Sequence, residues 1–412
     1  MKPLVLGAGA VGTVSALKFM KEAMLEKLVI ADAVSARASL LADRLKDPRV
    51  SAIHLDAGNV ADVTAAIRSS GITVVLNAAL PATNMDVMRA CLEAGCDYID
   101  LASAGTDADG IPKMDDQFSL DAEFRKAGRL ALLGMGADPG TTNVYAAYAA
   151  KHLLDVVTEL RVRDGDNSRC QGHDGFLAAF SPWVMIDECL CKAVAFRNGR
   201  YYLEEPLTGK EPFDFPELGV LNCYYVDHEE SRTLPRFFPA ARTIDFKLCM
   251  DDATLETLRV MKRLGLSRTD RVTVGDVSVA PRDLVVSLLP EPKDLAGRMR
   301  GKTCVGTLAK GLKNGLPKAY YIYNVADHEA AFAELGVQAT AYQTGIPPVI
   351  AARLIAQKVW QGSGVMSPEQ FDPDPFLECL RREGMPWHIR DDSARSGLPW
   401  VTTRPSREIV AA

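Results

Sequence analysis

The 412-residue chain has no apolar run of the length that a bilayer-spanning helix needs. Its first residues do not follow the pattern of a secretion signal, because strand and glycine-turn chemistry begins at residue 4. The cytoplasm is the expected compartment, with no membrane partner. Lys and Arg number 47 against 53 Asp and Glu, a net charge of −6, and no basic stripe interleaved with aromatics marks a nucleic-acid surface. Such mild acidity suits a cationic small molecule. Nine cysteines are scattered without paired spacing. Cys189 and Cys191 are too close for a CxxC site, and Cys91 and Cys96 fall in a helix and the turn after it, so reduced thiols are expected. A Ser-centred nucleophile elbow is missing, as are a metal-spaced cluster of His and acids and the lysine that an ATP-binding phosphate loop places after its glycines. Hydrolytic, metal-dependent and ATP-driven chemistry therefore lose support, and no metal site is expected. There is no internal repeat or low-complexity stretch.

What is present starts at once. The apolar run Leu4-Val5-Leu6 breaks into Gly7-Ala8-Gly9-Ala10-Val11-Gly12, opens an amphipathic helix (Val14, Leu17, Phe19, Met20), and returns through Leu28-Val29-Ile30-Ala31 to Asp32. Strand, glycine turn, helix, strand and acid at this spacing form the dinucleotide-binding pattern. Gly7 permits the tight turn, Gly9 lets the backbone approach a pyrophosphate, and Gly12 lets the helix press on the sheet. The phosphates then sit on helix N–H groups, with Ala10, Val11 and Ala33 lining the path. Asp32 would take the adenine ribose hydroxyls. A carboxylate there repels a 2′-phosphate and so favours NAD, although Ser35 and Arg37 offer partners to NADP.

Strand and helix patterns then alternate: strands near 50–55, 73–76, 98–100 and 129–133, helices near 59–69, 84–94 and 116–127. This cadence predicts an α/β fold whose N-terminal Rossmann domain is a doubly wound parallel sheet, residues 1–137. Ligands in such sheets lie beyond the strand C-termini, which makes Asp56, Asn77 and Asp100 candidates. The glycine-rich switch Gly134–Asn143 marks the boundary. Longer strands at 158–164, 243–250 and 318–325 predict a second α+β substrate domain, 138–345, with an antiparallel or mixed sheet. An apolar helix over 346–361 is expected to pack back on the first domain. The tail 388–412 has little to bury.

A dinucleotide domain followed by an unrelated one places the substrate between them and makes hydride transfer the expected reaction. Three polar clusters of the second domain stand out. His173-Asp174 with Phe180 and Trp183 could move a proton and cover a cationic stem. Tyr224-Tyr225-Val226-Asp227-His228-Glu229-Glu230 could hold an ammonium group. The third, Tyr323–Glu329, repeats the Asp-His-Glu core. For any single histidine here, a structural role competes with the chemical one.

Taken together, these residues resemble the saccharopine dehydrogenase superfamily, and within it the carboxynorspermidine (carboxyspermidine) dehydrogenase branch, over nearly the whole chain to Trp387. Asn77-Ala78-Ala79-Leu80-Pro81 and Tyr98-Ile99-Asp100 are shared broadly, and Asp138–Asn143 is more specific. Most specific are Asp214-Phe215-Pro216-Glu217, His228-Glu229-Glu230, Tyr321–Val325 with Asp327-His328, Thr344-Gly345-Ile346-Pro347, Phe371–Phe376 and Pro386-Trp387. The resemblance implies an NAD(P)-dependent oxidoreductase acting on a C–N bond, reducing the imine formed between aspartate semialdehyde and a diamine. It implies NADPH, which Asp32 opposes. Asp138, His173, Asp174, His228 and Glu229 are the candidates for proton transfer and anchoring. Asn143, Phe180, Trp183 and Thr344 are the candidates for shaping the substrate site, with Arg242 a possible carboxylate donor. Ala78, Ala79 and Pro81 join the cofactor contacts. Saccharopine reductase, L-lysine 6-dehydrogenase, a homospermidine synthase-type transferase and a non-catalytic nicotinamide-binding sensor remain as alternatives. A homodimer is the expected assembly.

Overall fold

The computed structural model describes residues 1–103, 114–173 and 175–394 and the backbone of 407–409. The apolar runs become strands that are buried on both faces, as parallel sheets require, except for the partly exposed edge strand β3. They are β1 (Pro3–Leu6), β2 (Leu28–Asp32), β3 (Val50–His54), β4 (Val74–Asn77), β5 (Asp97–Asp100) and β6 (Leu130–Leu132). Helices α1 (Ala10–Phe19), α2 (Ser35–Leu45), α3 (Val60–Ser70) and α4 (Asn84–Ala94) make the crossovers. The helix expected near 116–127 is two short ones, α5 (Met114–Phe118) and α6 (Asp121–Ala127). At the break the Ser119 hydroxyl donates to the Asp116 carbonyl, competing with the helical ladder. After β6 the chain enters α7 (Thr141–Tyr148).

The middle of the chain builds a mixed sheet. Its strands are β7 (Val156–Asp166), then, past the short β8 (Arg169–Cys170) and helix α8 (Pro182–Leu190), β9 (Ala193–Arg197), β10 (Arg200–Glu204), β11 (Glu211–Phe215) and β12 (Gly219–Tyr225). Short helix α9 (Glu230–Thr233) leads to β13 (Thr243–Cys249) and α10 (Asp252–Arg263). The hairpin β14 (Val272–Val274) and β15 (Val277–Val279), helix α11 (Pro281–Leu288) and β16 (Met299–Arg300) precede the long hairpin β17 (Lys302–Lys313) and β18 (Leu316–Asp327). Within the sheet, β7 pairs β13 in parallel and β17 antiparallel. This register sets Lys247 opposite Arg163 and Asp245 opposite Arg161. Fully buried Arg163 donates to Asp245 at 2.7 Å and to both carboxylate oxygens of Glu211, at 3.0 and 3.2 Å. A charge so placed is tolerable only when its donors are matched in this way.

The chain then runs through α12 (His328–Leu335) and α13 (Ala339–Gly345) to α14 (Pro347–Ala356), strand β19 (Gly364–Met366) and α15 (Pro373–Arg382). Strand β19 pairs β6, completing a seven-stranded parallel sheet of order β19-β6-β5-β4-β1-β2-β3. Its core includes Leu4, Leu6, Val29, Val75, Val87, Met88, Tyr98 and Leu133.

Two compact units result. One holds the described residues up to Leu153 together with Ala341–Trp387, and the other the described residues of Leu154–Thr340 and those from His388 on. The first unit thus runs on through α7 to Leu153. Helix α7 is fixed to the first unit by Asn143, whose amide donates to Glu369, and by Tyr148, whose ring meets Trp387 edge-on at 4.8 Å. In the same unit Arg353 of α14 pairs with Glu22. The tail also departs from expectation. Residues Trp387–Asp391 form β20, which pairs β18, and 407–409 form β21, which pairs β10. An open strand edge recruits even a polar segment, since the bonds are backbone to backbone.

Candidate active site

In the first unit the glycine turn is shaped by contacts that only glycine allows. Gly7 has φ +98°, and a Cβ on it would lie 2.5 Å from the Ala78 carbonyl oxygen, while one on Gly12 would lie 1.8 Å from the Gly7 oxygen. Gly9 differs, since its Cβ position meets nothing within 4 Å. The space in front of Gly9 is therefore open to a ligand. Gly9 is also the N-cap of α1 and supplies no capping side chain, and the first turn contains no acid, so its amides at Ala10 and Val11 suit a pyrophosphate. The residues present fit a dinucleotide.

The strand ends around this turn do different jobs. Asp32 is nearly buried, its Oδ2 accepting from the Ala8 amide at 2.8 Å and its Oδ1 from the Val34 amide at 2.7 Å. Ala33, between them, is exposed. Asp56 is exposed and accepts from the Gly58 amide at 2.9 Å. Asn77 is buried. Its amide donates to Asn84 at 2.9 Å and its oxygen accepts from Ala79, which holds the 78–81 segment, ending at Pro81, against Gly7. Asp100 serves as an internal strut. Its carboxylate is buried and accepts from the Gly134 amide at 2.6 Å, Gln117 at 2.7 Å and the Tyr98 hydroxyl at 3.0 Å.

In the loop before α7, the Gly136 amide donates to the Pro139 carbonyl at 2.7 Å, across a cis Asp138-Pro139 bond. Asn143 is fully buried, accepting from the Gly140 amide at 2.9 Å and donating to Glu369 at 2.9 Å. It braces this loop. Asp138 and Thr344 keep partial exposure, and the Thr344 methyl lies 3.2 Å from where a Gly136 Cβ would stand.

In the second unit, β12 delivers Asp227, His228 and Glu229 into α9. The His228 ring stacks flat on Phe246 of β13, with centroids 3.7 Å apart and planes at 6°. Its Nδ1 lies 2.5 Å from Glu230 Oε2 and 3.6 Å from Glu229 Oε2, both acids being buried. Helix α8 adds Glu188, whose backbone carbonyl accepts from the Asp227 amide at 3.1 Å. Burial pushes the Glu188 carboxyl well above the usual range; His228 opposes this, and Glu229, Asp227 and Asp187 add to it. Burial likewise raises Asp227 to about 7, with Glu229 adding to it. Four acids thus share one imidazole, an environment that draws a cation.

Residues 4–132 match the saccharopine dehydrogenase NADP binding domain, and residues 136–385 match the saccharopine dehydrogenase C-terminal domain. This chain belongs to the saccharopine dehydrogenase family. It is 34% identical to carboxyaminopropylagmatine dehydrogenase of Synechocystis sp. over 391 residues, 94% of this chain and 97% of the relative. It is 33% identical to carboxynorspermidine synthase of Vibrio alginolyticus over 408 residues, 95% and 97%. The fold is shared with apo saccharopine dehydrogenase (L-Glu forming) from Saccharomyces cerevisiae, with a TM-score of 0.69 at 14% identity, covering 95% of this chain and 99% of that one. The chain is an NAD(P)-dependent oxidoreductase acting on CH–NH substrates. No helix among the described residues is long and apolar enough to cross a membrane.

Other expected residues of this saccharopine dehydrogenase-family site take different places. The His173 ring is bound within its own turn, Nε2 lying 3.3 Å from the Phe176 carbonyl. Asp174 lies outside the described residues. Phe180 is partly buried just before α8. One face of the Trp183 ring is covered by the Arg282 guanidinium at 4.6 Å, which also pairs with Asp187 at 2.7 Å, so the indole already serves a cation of the protein itself. Arg242 is exposed. His328 of the third cluster is buried, its Nδ1 accepting from the Ala339 amide at 3.0 Å and its Nε2 lying 2.5 Å from the Ser168 hydroxyl, while Asp327 caps α12. Sequence reasoning missed Glu188, forty positions before His228, and gave Glu230 no role of its own. The donor atoms of His228, Glu229 and Glu230 lie within 4.8 Å of one another, close enough to hold a cation, though three adjacent residues lack the spacing of helical metal motifs.

Proposed function

We propose that this enzyme reduces the imine formed between aspartate semialdehyde and a diamine, giving a carboxylated polyamine, with His228 exchanging the proton. The observation that carries the reading is the gathering of Glu188, Asp227, Glu229 and Glu230 around one imidazole. An ammonium group entering that field favours the ionised form of Glu188 and Asp227, which burial otherwise holds toward their protonated form. The names of two relatives, carboxynorspermidine synthase and carboxyaminopropylagmatine dehydrogenase, support a carboxylated amine as product.

The chemistry asks three things of the chain. The attacking amine must lose a proton, the carbinolamine hydroxyl must gain one to leave as water, and the C=N nitrogen must be protonated as its carbon takes two electrons. A bound nicotinamide supplies the hydride. His228 serves the proton steps: with Nδ1 turned to Glu230, the exchangeable proton is on Nε2, and the stacked Phe246 ring fixes the plane of the imidazole. Glu188 and Glu229 hold the distal ammonium.

The test is a cofactor-oxidation screen of the full-length enzyme. Aspartate semialdehyde, glyoxylate, pyruvate and α-aminoadipate semialdehyde are paired with diaminopropane, putrescine, agmatine, lysine and glutamate, and the products are identified by mass spectrometry. One cofactor should be consumed per carboxylated polyamine formed from aspartate semialdehyde. Turnover restricted to α-aminoadipate semialdehyde with glutamate would replace the reading by saccharopine reduction, and product without net cofactor change would replace it by group transfer. His228→Ala should lower kcat/KM at least tenfold, about 1.4 kcal/mol of transition-state stabilisation.

A further inference from the structure

We propose that this enzyme selects NADH over NADPH, and that Asp32 is the residue that decides it. The NADP binding domain that residues 4–132 match describes the family. The choice made by this chain depends on what stands at the end of β2.

There the Asp32 carboxylate is tied on both sides. One oxygen accepts from Ala8, which lies between Gly7 and Gly9 in the glycine turn, and the other from Val34, the N-cap of α2. The first bond locks the carboxylate to the turn that takes the pyrophosphate. The second ties it to the start of α2. A dinucleotide lying across that turn brings its adenosine ribose to the end of β2. Each carboxylate oxygen has a second lone pair with which to accept from a ribose hydroxyl.

With a 2′-phosphate in that place the balance reverses. A hydroxyl donor is replaced by a group carrying close to two negative charges and offering acceptors. The anchored carboxylate can neither retreat nor donate. The Leu55 amide donates to the Asp32 carbonyl, so the next residue, exposed Asp56, adds a second negative charge at the same end of the sheet. Ser35 and Arg37 at the start of α2 are the groups that would have to offset both acids. Arg37 supplies one charge against the two.

The experiment measures binding of NADH and of NADPH to the full-length enzyme by nucleotide fluorescence and calorimetry, with no aldehyde or amine present. It therefore stands or falls separately from the substrate assignment. NADH should bind at least tenfold more tightly than NADPH, equivalent to about 1.4 kcal/mol. Asp32→Ser should cut NADH affinity and raise NADPH affinity, each about tenfold, reversing the order. Asp32→Asn, whose amide oxygen still accepts from one backbone N–H, serves as the second variant should the serine form fold poorly, and it should narrow the ratio. Equal or tighter binding of NADPH by the unmodified enzyme overturns the proposal. A preference for NADH that both variants retain overturns the assignment to Asp32.

Discussion

Replacing Glu230 by glutamine tests whether the His228 imidazole is tuned by its neighbour or merely packed beside it. Glu230 is fully buried and meets His228 Nδ1 at 2.5 Å. Gln has the same shape and can still accept through its amide oxygen, but it carries no charge. A charge-assisted hydrogen bond of this kind contributes about 1.5–3 kcal/mol, and at about 1.4 kcal/mol per pH unit its loss lowers the proton affinity of the imidazole by roughly 1 to 2 units. In the reductive direction His228 must carry a proton to the carbinolamine and imine. Activity therefore falls as pH rises past the titration of the group. Asp227, raised to about 7, belongs to the same cluster, so the observed limb is a property of the ensemble and the comparison of enzyme with variant is the informative quantity. The assay is kcat/KM for imine reduction from pH 5.5 to 9. The alkaline limb of Glu230→Gln should move down by about 1 to 2 units, while the acid plateau stays within roughly threefold of the parent. An activity loss that is the same at every pH, with the limb unmoved, would show that Glu230 acts through folding alone. An unchanged profile would remove it from the mechanism.

Asp227 should register in stability as well. Its folded carboxyl, at about 7, lies above the ordinary carboxylate value of about 3.9, so between those pH values the folded protein keeps a proton that the unfolded chain releases. Stability then declines as pH rises through that window, a loss of up to roughly 4 kcal/mol that is complete above pH 7. Asp227→Asn should remove the decline, so its Tm relative to the parent rises between pH 5 and 8; a Tm difference independent of pH refutes this. At the glycine turn, Gly9→Ala places a methyl group in open space and should leave the Tm of the unliganded protein within about 2 °C while weakening NADH binding at least tenfold. Gly7→Ala, at φ +98° and against Ala78, should instead destabilise the fold by about 1–3 kcal/mol in urea titration. Normal nucleotide binding by the Gly9 variant would show that the pyrophosphate does not use that space.

The parallel sheet was legible because its determinants are local. A strand is a run of apolar residues, a crossover helix is an amphipathic stretch, and the glycine turn repeats one fixed spacing, so β1 to β6 with α1, α3 and α4 could be read within a few residues of their ends, whereas α2, largely exposed and polar, was not read. Strand-end polar residues are a different matter. Asp32 and Asp100 occupy the same kind of position and look alike in sequence, yet one accepts from two amides at a turn beside open space and the other is enclosed by Gly134, Gln117 and Tyr98. What separates them is whether donors from 17 and 34 positions away converge on the carboxylate. The bracing role of Asn143 was hidden for the same reason, its partner Glu369 lying 226 positions on.

The cluster around His228 shows how far that argument extends. Asp227, His228, Glu229 and Glu230 are adjacent in sequence and were visible as a polar run, but adjacency alone is equally consistent with an exposed turn. The similar run Asp327-His328-Glu329 has that commonplace role: Asp327 caps a helix, His328 is satisfied by Ala339 and Ser168, and Glu329 pairs with Arg300 at the surface. The first run differs because Phe246 of β13 lies flat under the imidazole and α8 brings Glu188 to the same group of acids. Two elements that carry no catalytic signature of their own, an apolar strand and a short helix, therefore turn one Asp-His-Glu sequence into an acid-rich site while its near copy remains a helix cap. In this chain the character of the motif depends on what packs against it, so substitutions at Phe246 or Glu188 should lower kcat/KM for imine reduction as strongly as substitutions within the motif itself.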